Sequence, residues 1–199
     1  MSRANRFDRG DFEARYDPDA PPASDGAVQS SEPQSALTLS DPQTVRSRGA
    51  AWPIVRAQLL RVGESVLANR DGKGRPHKGI DLFADAGTDV RSATDGQVVR
   101  VVDGRKGQTV AQRRAGLFVD VRGEDALVYR YLHLGGARVE PGQAVTQGTV
   151  LGQVAASFTS GLRETPHLHF EIRQGDYDSA KQDYGRPVDP TRLLPPLRA

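Results

Sequence analysis

Cysteine is absent from the 199 residues. That excludes a disulfide framework, thiolate zinc sites, iron–sulfur clusters, a thiol nucleophile and a lipid-anchoring cysteine. Long apolar runs are also absent, since no stretch approaches the roughly 20 residues of a membrane-spanning helix. Aromatic residues make up 6% of the chain and the formal net charge is +2. A nucleic-acid binder needs a basic field and stacking surface, and neither is there. Hydrophobic residues reach 37%, so part of the chain lacks the apolar surface to join a core. Helical periodicity is weak throughout. Histidine is scarce as well, with four in the chain, and each can be placed individually.

The segment without core-forming residues is at the start. Residues 1–45 are expected to be disordered. Asp17-Pro18-Asp19-Ala20-Pro21-Pro22 is dense in turn formers, and Pro33 and Pro42 interrupt the rest. Such a segment cannot bury enough apolar surface to offset its ordering entropy. Met1 to Arg9 carries charge where a secretory signal needs an apolar run, so no signal peptide is expected. The segment reads as a solvated linker, or as a docking or delivery segment for a secretion partner.

From Trp52 onward short runs of Val, Ile, Leu and Phe recur between glycines. Val98-Val99-Arg100-Val101-Val102 lies between the turn signals Asp95-Gly96 and Asp103-Gly104. Leu117 to Arg122 and Ala126 to Leu134 flank Gly123-Glu124-Asp125, which predicts a hairpin. Residues 50–175 therefore read as one mostly antiparallel β domain, a sandwich or an open barrel. A faint repeat runs through it. Gly87 to Val90 followed by Gly96-Gln97-Val98 matches Gly142 to Val145 followed by Gly152-Gln153-Val154. Two long loops, Glu64 to Lys78 and Ala155 to Pro166, run directly into histidines, and long loops in compact domains often carry function. Asp103 to Gly116, with Arg105, Lys106, Arg113 and Arg114, reads as a third, solvated loop.

In His167-Leu168-His169-Phe170-Glu171-Ile172-Arg173 strand alternation puts His167, His169, Glu171 and Arg173 on one face and Leu168, Phe170 and Ile172 on the other. Two imidazoles then stand on a rigid platform suited to metal ligation. In His77-Lys78-Gly79-Ile80-Asp81 an imidazole and a carboxylate both suit zinc, and Gly79 is expected to let the backbone bend so that they converge. His77, Asp81 and one histidine of the H-x-H strand make three N/O ligands. A fourth, open position is the pattern of a catalytic zinc. His133 closes a strand in which Tyr129, Tyr131 and His133 are expected to share a face, bringing His133 to the sheet edge.

The order of these motifs resembles the lysostaphin-type (LytM-like) zinc metallopeptidases, which cleave the peptide part of bacterial peptidoglycan. The matching segments are His77 to Asp81 (H-x3-D), Gly87 to Val98, Tyr131-Leu132-His133-Leu134, Pro141 to Gly148 and His167-Leu168-His169-Phe170. Trp52-Pro53-Ile54 and Val188-Asp189-Pro190 resemble the family's domain entry and exit. The resemblance covers about residues 52–191. It implies a mostly β, compact antiparallel sheet of the barrel-sandwich kind (a duplicated hybrid motif), forming a peptidase domain over residues 50–195 with a loop-walled cleft. It further implies one Zn2+ per domain held by His77, Asp81 and His169, with His133 and His167 as the catalytic pair. The run from Ala155 to Pro166 departs from the family's Gly- and Thr-rich pattern, which bears on substrate preference.

The activity implied is hydrolysis of a stem-peptide or cross-bridge bond. A non-catalytic cell-wall-binding or regulatory relative is the alternative, and the complete ligand set separates the two. A lipoyl- or biotinyl-type carrier, to which Pro141-Gly142-Gln143-Ala144-Val145 has some likeness, needs a modifiable lysine at a tight turn, and no lysine has that context. The place of action implied is the periplasm or the outside of the cell, at the wall. Phage lysis, secretion-system delivery or a truncated start would each reconcile this with the missing export signal.

Overall fold

The computed structural model describes residues 49–63, 76–156, 165–181 and 183–197. The disorder expected for residues 1–45, and the central parts of both long loops, 64–75 and 157–164, lie outside the described residues. The strands are β1 (Arg61–Val62), β2 (Ile80–Phe83), β3 (Asp89–Arg91), β4 (Gly96–Asp103), β5 (Leu117–Gly123), β6 (Val128–Ala137), β7 (Ala144–Val145), β8 (Val150–Val154), β9 (His167–Asp178) and β10 (Asp183–Val188). They form one hydrogen-bonded sheet whose main path runs β1-β2-β9-β6-β5-β4-β7. Every pairing is antiparallel, as expected from the alternating runs and glycine turns. The expected hairpin is β5–β6, with its second strand starting two residues later than the apolar run.

The sheet branches at its two longest strands. One edge of β9 pairs with β2 over its first residues and with β10 beyond them, while its other edge pairs with β6. β6 in turn pairs with β9 up to Leu132 and with β8 from Leu134. The core side of this junction is the predicted stripe of β9. Leu168, Phe170 and Ile172 are fully buried, each contributing roughly 1.5–3 kcal/mol. Tyr131 faces Phe170 and Tyr129 faces Ile172 across the strands. The Tyr131 phenol accepts the Ala93 N–H at 2.8 Å, so its burial leaves the oxygen satisfied. The Trp52 indole donates to the Pro195 carbonyl at 2.8 Å, tying the domain's entry to its exit.

The faint repeat has a structural counterpart. β3 pairs with β8 and β4 with β7, so each copy lends a strand to the other. Gly87 and Gly142, equivalent in the repeat, both turn the chain with positive φ, 84° and 86°.

One expectation needs correction, and one glycine has a second role. The segment from Asp103 to Gly116 is not a bare loop. It holds a 3-10 turn at Gly104–Lys106 and a helix, α1 (Val110–Ala115). Thr109 and Gln112 form a reciprocal capping box at the start of α1, which satisfies donors that a helix end leaves open. Gly79 sits at the bend expected of it, and it serves a second purpose. A Cβ there would lie 2.2 Å from the Phe170 carbonyl oxygen and 2.9 Å from Glu171 Cγ. Glycine lets the chain entering β2 lie flush against β9. Gly79→Ala should therefore cost about 2 kcal/mol or more through overpacking, read as a fall in Tm of several degrees. Gly136→Ala, where a Cβ meets nothing within 4 Å, should leave Tm unchanged.

Candidate metal centre

Register brings the site together. Asp81 on β2 lies opposite His169 on β9, and directly opposed residues of paired strands project to the same face. His77 enters from the segment before β2. The His169 Nδ1 lies 2.8 Å from Asp81 Oδ1 and 3.1 Å from His77 Nε2, and His77 Nε2 lies 3.3 Å from that same carboxylate oxygen. His77, Asp81 and His169 are all buried. They are a His-Asp-His group able to hold a metal ion.

The donors fit zinc. Ligand atoms about 2.0–2.1 Å from a tetrahedral zinc stand about 3.3 Å from one another, close to the spacing seen here. Three N/O donor atoms converging in a buried pocket can be satisfied together by a cation between them. The second ring nitrogen of His169 is also provided for: Nε2–H donates to Glu171 Oε1 at 3.0 Å. With a metal at Nδ1, that bond holds the tautomer whose Nδ1 lone pair faces Asp81 and His77. Burial raises the Glu171 carboxyl, but the hydrogen bond from His169 and the nearby Arg130 and Arg173 guanidiniums outweigh it and hold it below the usual carboxylate range. Glu171 is thus an ionised acceptor. Its orienting role is not evident in the sequence, although its position two residues after His169 is the signal that would find it.

His167 and His133 sit beside this group. Their rings are 5.0 Å apart, edge to face, and His133 is 5.7 Å from the His169 ring. His167 Nδ1–H donates to the Thr165 carbonyl at 2.8 Å, and His133 Nδ1–H donates to the Ala115 carbonyl at 3.2 Å. Each bond leaves the lone pair of the neutral imidazole on Nε2. His167 Nε2 is 3.8 Å from Asp81 Oδ1. Phe83 packs against the His167 ring with centroids 5.2 Å apart, and the Arg61 guanidinium caps Phe83 at 3.6 Å.

The position of His133 overturns the expectation that it shares a face with Tyr129 and Tyr131. Those tyrosines face the core, whereas His133 faces the histidines of the opposite side. The cause is a β-bulge. Val119 and Leu117 of β5 pair with Tyr131 and Leu134 of β6, so one extra residue is inserted in β6. His133 takes φ 69° there, an uncommon conformation that histidine tolerates better than most side chains. The inversion falls where β6 leaves β9 for β8. It re-aims the imidazole without displacing Leu134 from the core.

Residues 75–190 match the model of peptidase family M23. The cell division protein DipM of Caulobacter vibrioides is 34% identical over 145 residues, covering 73% of this chain and 21% of DipM. Peptidoglycan DD-endopeptidase ShyB of Vibrio cholerae is 33% identical over 114 residues, covering 56% of this chain and 24% of ShyB. The catalytic domain of the antimicrobial peptidase lysostaphin from Staphylococcus simulans has the same fold, with a TM-score of 0.53 at 23% identity, covering 66% of this chain and 90% of that domain. The chain spans about a fifth to two fifths of the length of the curated relatives it matches.

Proposed function

The chain belongs to peptidase family M23, and from that membership we propose that it is a zinc-dependent endopeptidase hydrolysing peptide bonds of bacterial peptidoglycan. The observation that carries this reading is the convergence of His77, Asp81 and His169 within 3.3 Å of one another, beside two further imidazoles with fixed tautomers. Residues 50–195 are the catalytic domain in this reading, working at the cell wall. The similarity to ShyB, a peptidoglycan DD-endopeptidase, supports peptidoglycan as the substrate. A purely wall-binding relative has no need of a full ligand set flanked by a histidine pair.

His77, Asp81 and His169 would hold the zinc. Bound there, it supplies Lewis acidity, polarising the scissile carbonyl and lowering the pKa of water toward about 7. The chain's own residues handle the protons. As water oxygen bonds to the carbonyl carbon, a proton leaves for Nε2 of His167 or His133. The other ring, entering the reaction as an imidazolium with a proton on Nε2 as well, donates toward the developing oxyanion. When the C–N bond breaks, that proton goes to the departing amine and the imidazole that accepted it returns to neutral. The carbonyls of Thr165 and Ala115 keep each ring from rotating its Nδ1–H into the site.

The test is direct. Purified protein should contain one zinc per chain and convert defined muropeptides into fragments whose masses identify the cleaved bond. Stripping the metal with a chelator should abolish cleavage, and zinc should restore it. Full-rate cleavage by metal-free protein would rule out the mechanism, and intact muropeptides with zinc-loaded protein would rule out the substrate.

A further inference from the structure

The polar face of the sheet carries a row of charges that this reaction does not use. Register sets Arg100 of β4 opposite Asp120 of β5, Asp120 opposite Arg130 of β6, and Arg130 opposite Glu171 of β9. Charge alternates along the row. Arg130 Nε donates to Asp120 Oδ1 at 2.9 Å, Arg130 Nη1 lies 3.6 Å from Glu171 Oε2, and Arg100 Nη1 lies 3.8 Å from Asp120 Oδ2. Asp120, Arg130 and Glu171 are buried. Buried ions are costly to desolvate, so a row of them marks a demand other than stability. At its end, Glu171 holds His169.

The β9–β10 hairpin adds one more anion. Asp183 Oδ1 accepts from Arg130 Nη1 at 2.9 Å. Its Oδ2 pairs with Arg173 Nη2 at 2.9 Å and with Lys78 Nζ at 2.5 Å. Lys78 directly follows His77. One carboxylate thus reaches both arms of the metal centre, through Lys78 to His77 and through Arg130 and Arg173 to Glu171 and His169. Without it, two buried guanidiniums would turn to Glu171, whose Oε2 already lies 3.6 Å from Arg130 and 3.8 Å from Arg173. They would then compete with His169 for that carboxylate.

We propose that Asp183 is a positioning residue of the metal centre, a hairpin carboxylate that sets the His77 and His169 arms together. The proposal rests on reading His77, Asp81 and His169 as the zinc ligands. The experiment measures zinc affinity of the full chain by competition with a chromophoric chelator, alongside the Tm of the metal-free form. Asp183→Asn should weaken zinc binding about 10- to 100-fold, as removal of an outer partner of a metal ligand typically does. Asp183→Glu should recover most of that loss. Tyr177→Ala alters the hairpin without touching Asp183 or its partners Arg130, Arg173 and Lys78, since Tyr177 packs on Tyr184 and under the Arg100 guanidinium at the far end of the row. It should leave zinc affinity unchanged. Lys78→Met, at a half-exposed position, should weaken zinc in the same direction by a smaller factor, and it keeps the test open if Asp183→Asn does not fold. Zinc affinity within twofold of wild type in Asp183→Asn or in Lys78→Met overturns the proposal. So does an equal loss in Tyr177→Ala, which would assign the effect to hairpin docking. A wild-type chain that binds no zinc would instead remove the metal reading itself.

Discussion

Replacing His169 with alanine should lower zinc affinity, zinc-dependent stability and peptidase activity together. His169 joins two networks. Its Nδ1 meets Asp81 and His77, and its Nε2–H holds Glu171. Alanine removes one of three donors and leaves a buried, ionised Glu171 facing only guanidiniums. Two-ligand zinc sites are weak, so the affinity loss should be at least about 100-fold, the upper end of what even indirect ligand perturbations cost. Metal that binds only the folded state stabilises it by about 2.7 kcal/mol at 100 times Kd. The wild-type Tm should therefore rise on adding zinc, and the variant's should not. Metal analysis after gel filtration and calorimetry with and without zinc measure both effects. A His169→Ala protein that keeps stoichiometric zinc and the wild-type rise in Tm would show that the metal is held elsewhere.

Much of this site is legible because strands impose simple rules. Alternation in His167 to Arg173 is enough to separate a core stripe from a polar face, and the structure follows it: Leu168, Phe170 and Ile172 join the hydrophobic core, while His169, Glu171 and Arg173, also buried, meet polar partners on the other side. The Gly-punctuated runs likewise mark the β5–β6 hairpin and the two copies of the repeat, though not the way the copies pair. What stays hidden needs information that a local window lacks. His133 obeys the opposite of alternation because an inserted residue inverts the strand, and nothing in Tyr129 to Leu134 marks the bulge. The row from Arg100 to Glu171 draws one residue from each of four strands, so it exists only once the register is fixed. Asp183 comes to it from yet another strand. The capping box of α1 is written in Thr109-Val110-Ala111-Gln112, but a six-residue helix is too short to leave a periodic signal. Gly79 is readable as special, yet the reason, a carbonyl of β9 in van der Waals contact, belongs to tertiary packing.

His167→Ala and His133→Ala should give the converse result: zinc retained, activity lost. Neither ring belongs to the group of atoms that converge on Asp81 within 3.3 Å, so the three donors remain when either is removed. His167 is the sharper case, because it shares strand, face and sequence motif with His169 and differs in what its nitrogens meet. Its Nδ1–H is spent on the Thr165 carbonyl, and its Nε2 stands 3.8 Å from Asp81 Oδ1, beyond hydrogen-bond range but close enough to meet a water beside that oxygen. Loss of a proton acceptor or an oxyanion donor costs about 100-fold or more in rate. Each variant should therefore cleave muropeptides at least about 100-fold more slowly at wild-type zinc content. His133→Ala has an additional signature. Residues held at positive φ are strained by roughly 1–3 kcal/mol, and alanine tolerates φ 69° less well than histidine, so this variant should also lose some Tm, whereas His133→Asn should recover Tm without recovering rate. Zinc content, Tm and cleavage rate measured side by side on these variants and His169→Ala decide the assignment. If His167→Ala loses its zinc while His169→Ala keeps it, the two histidines have exchanged roles; if all remain active, the imidazole pair handles no protons and the hydrolytic mechanism falls.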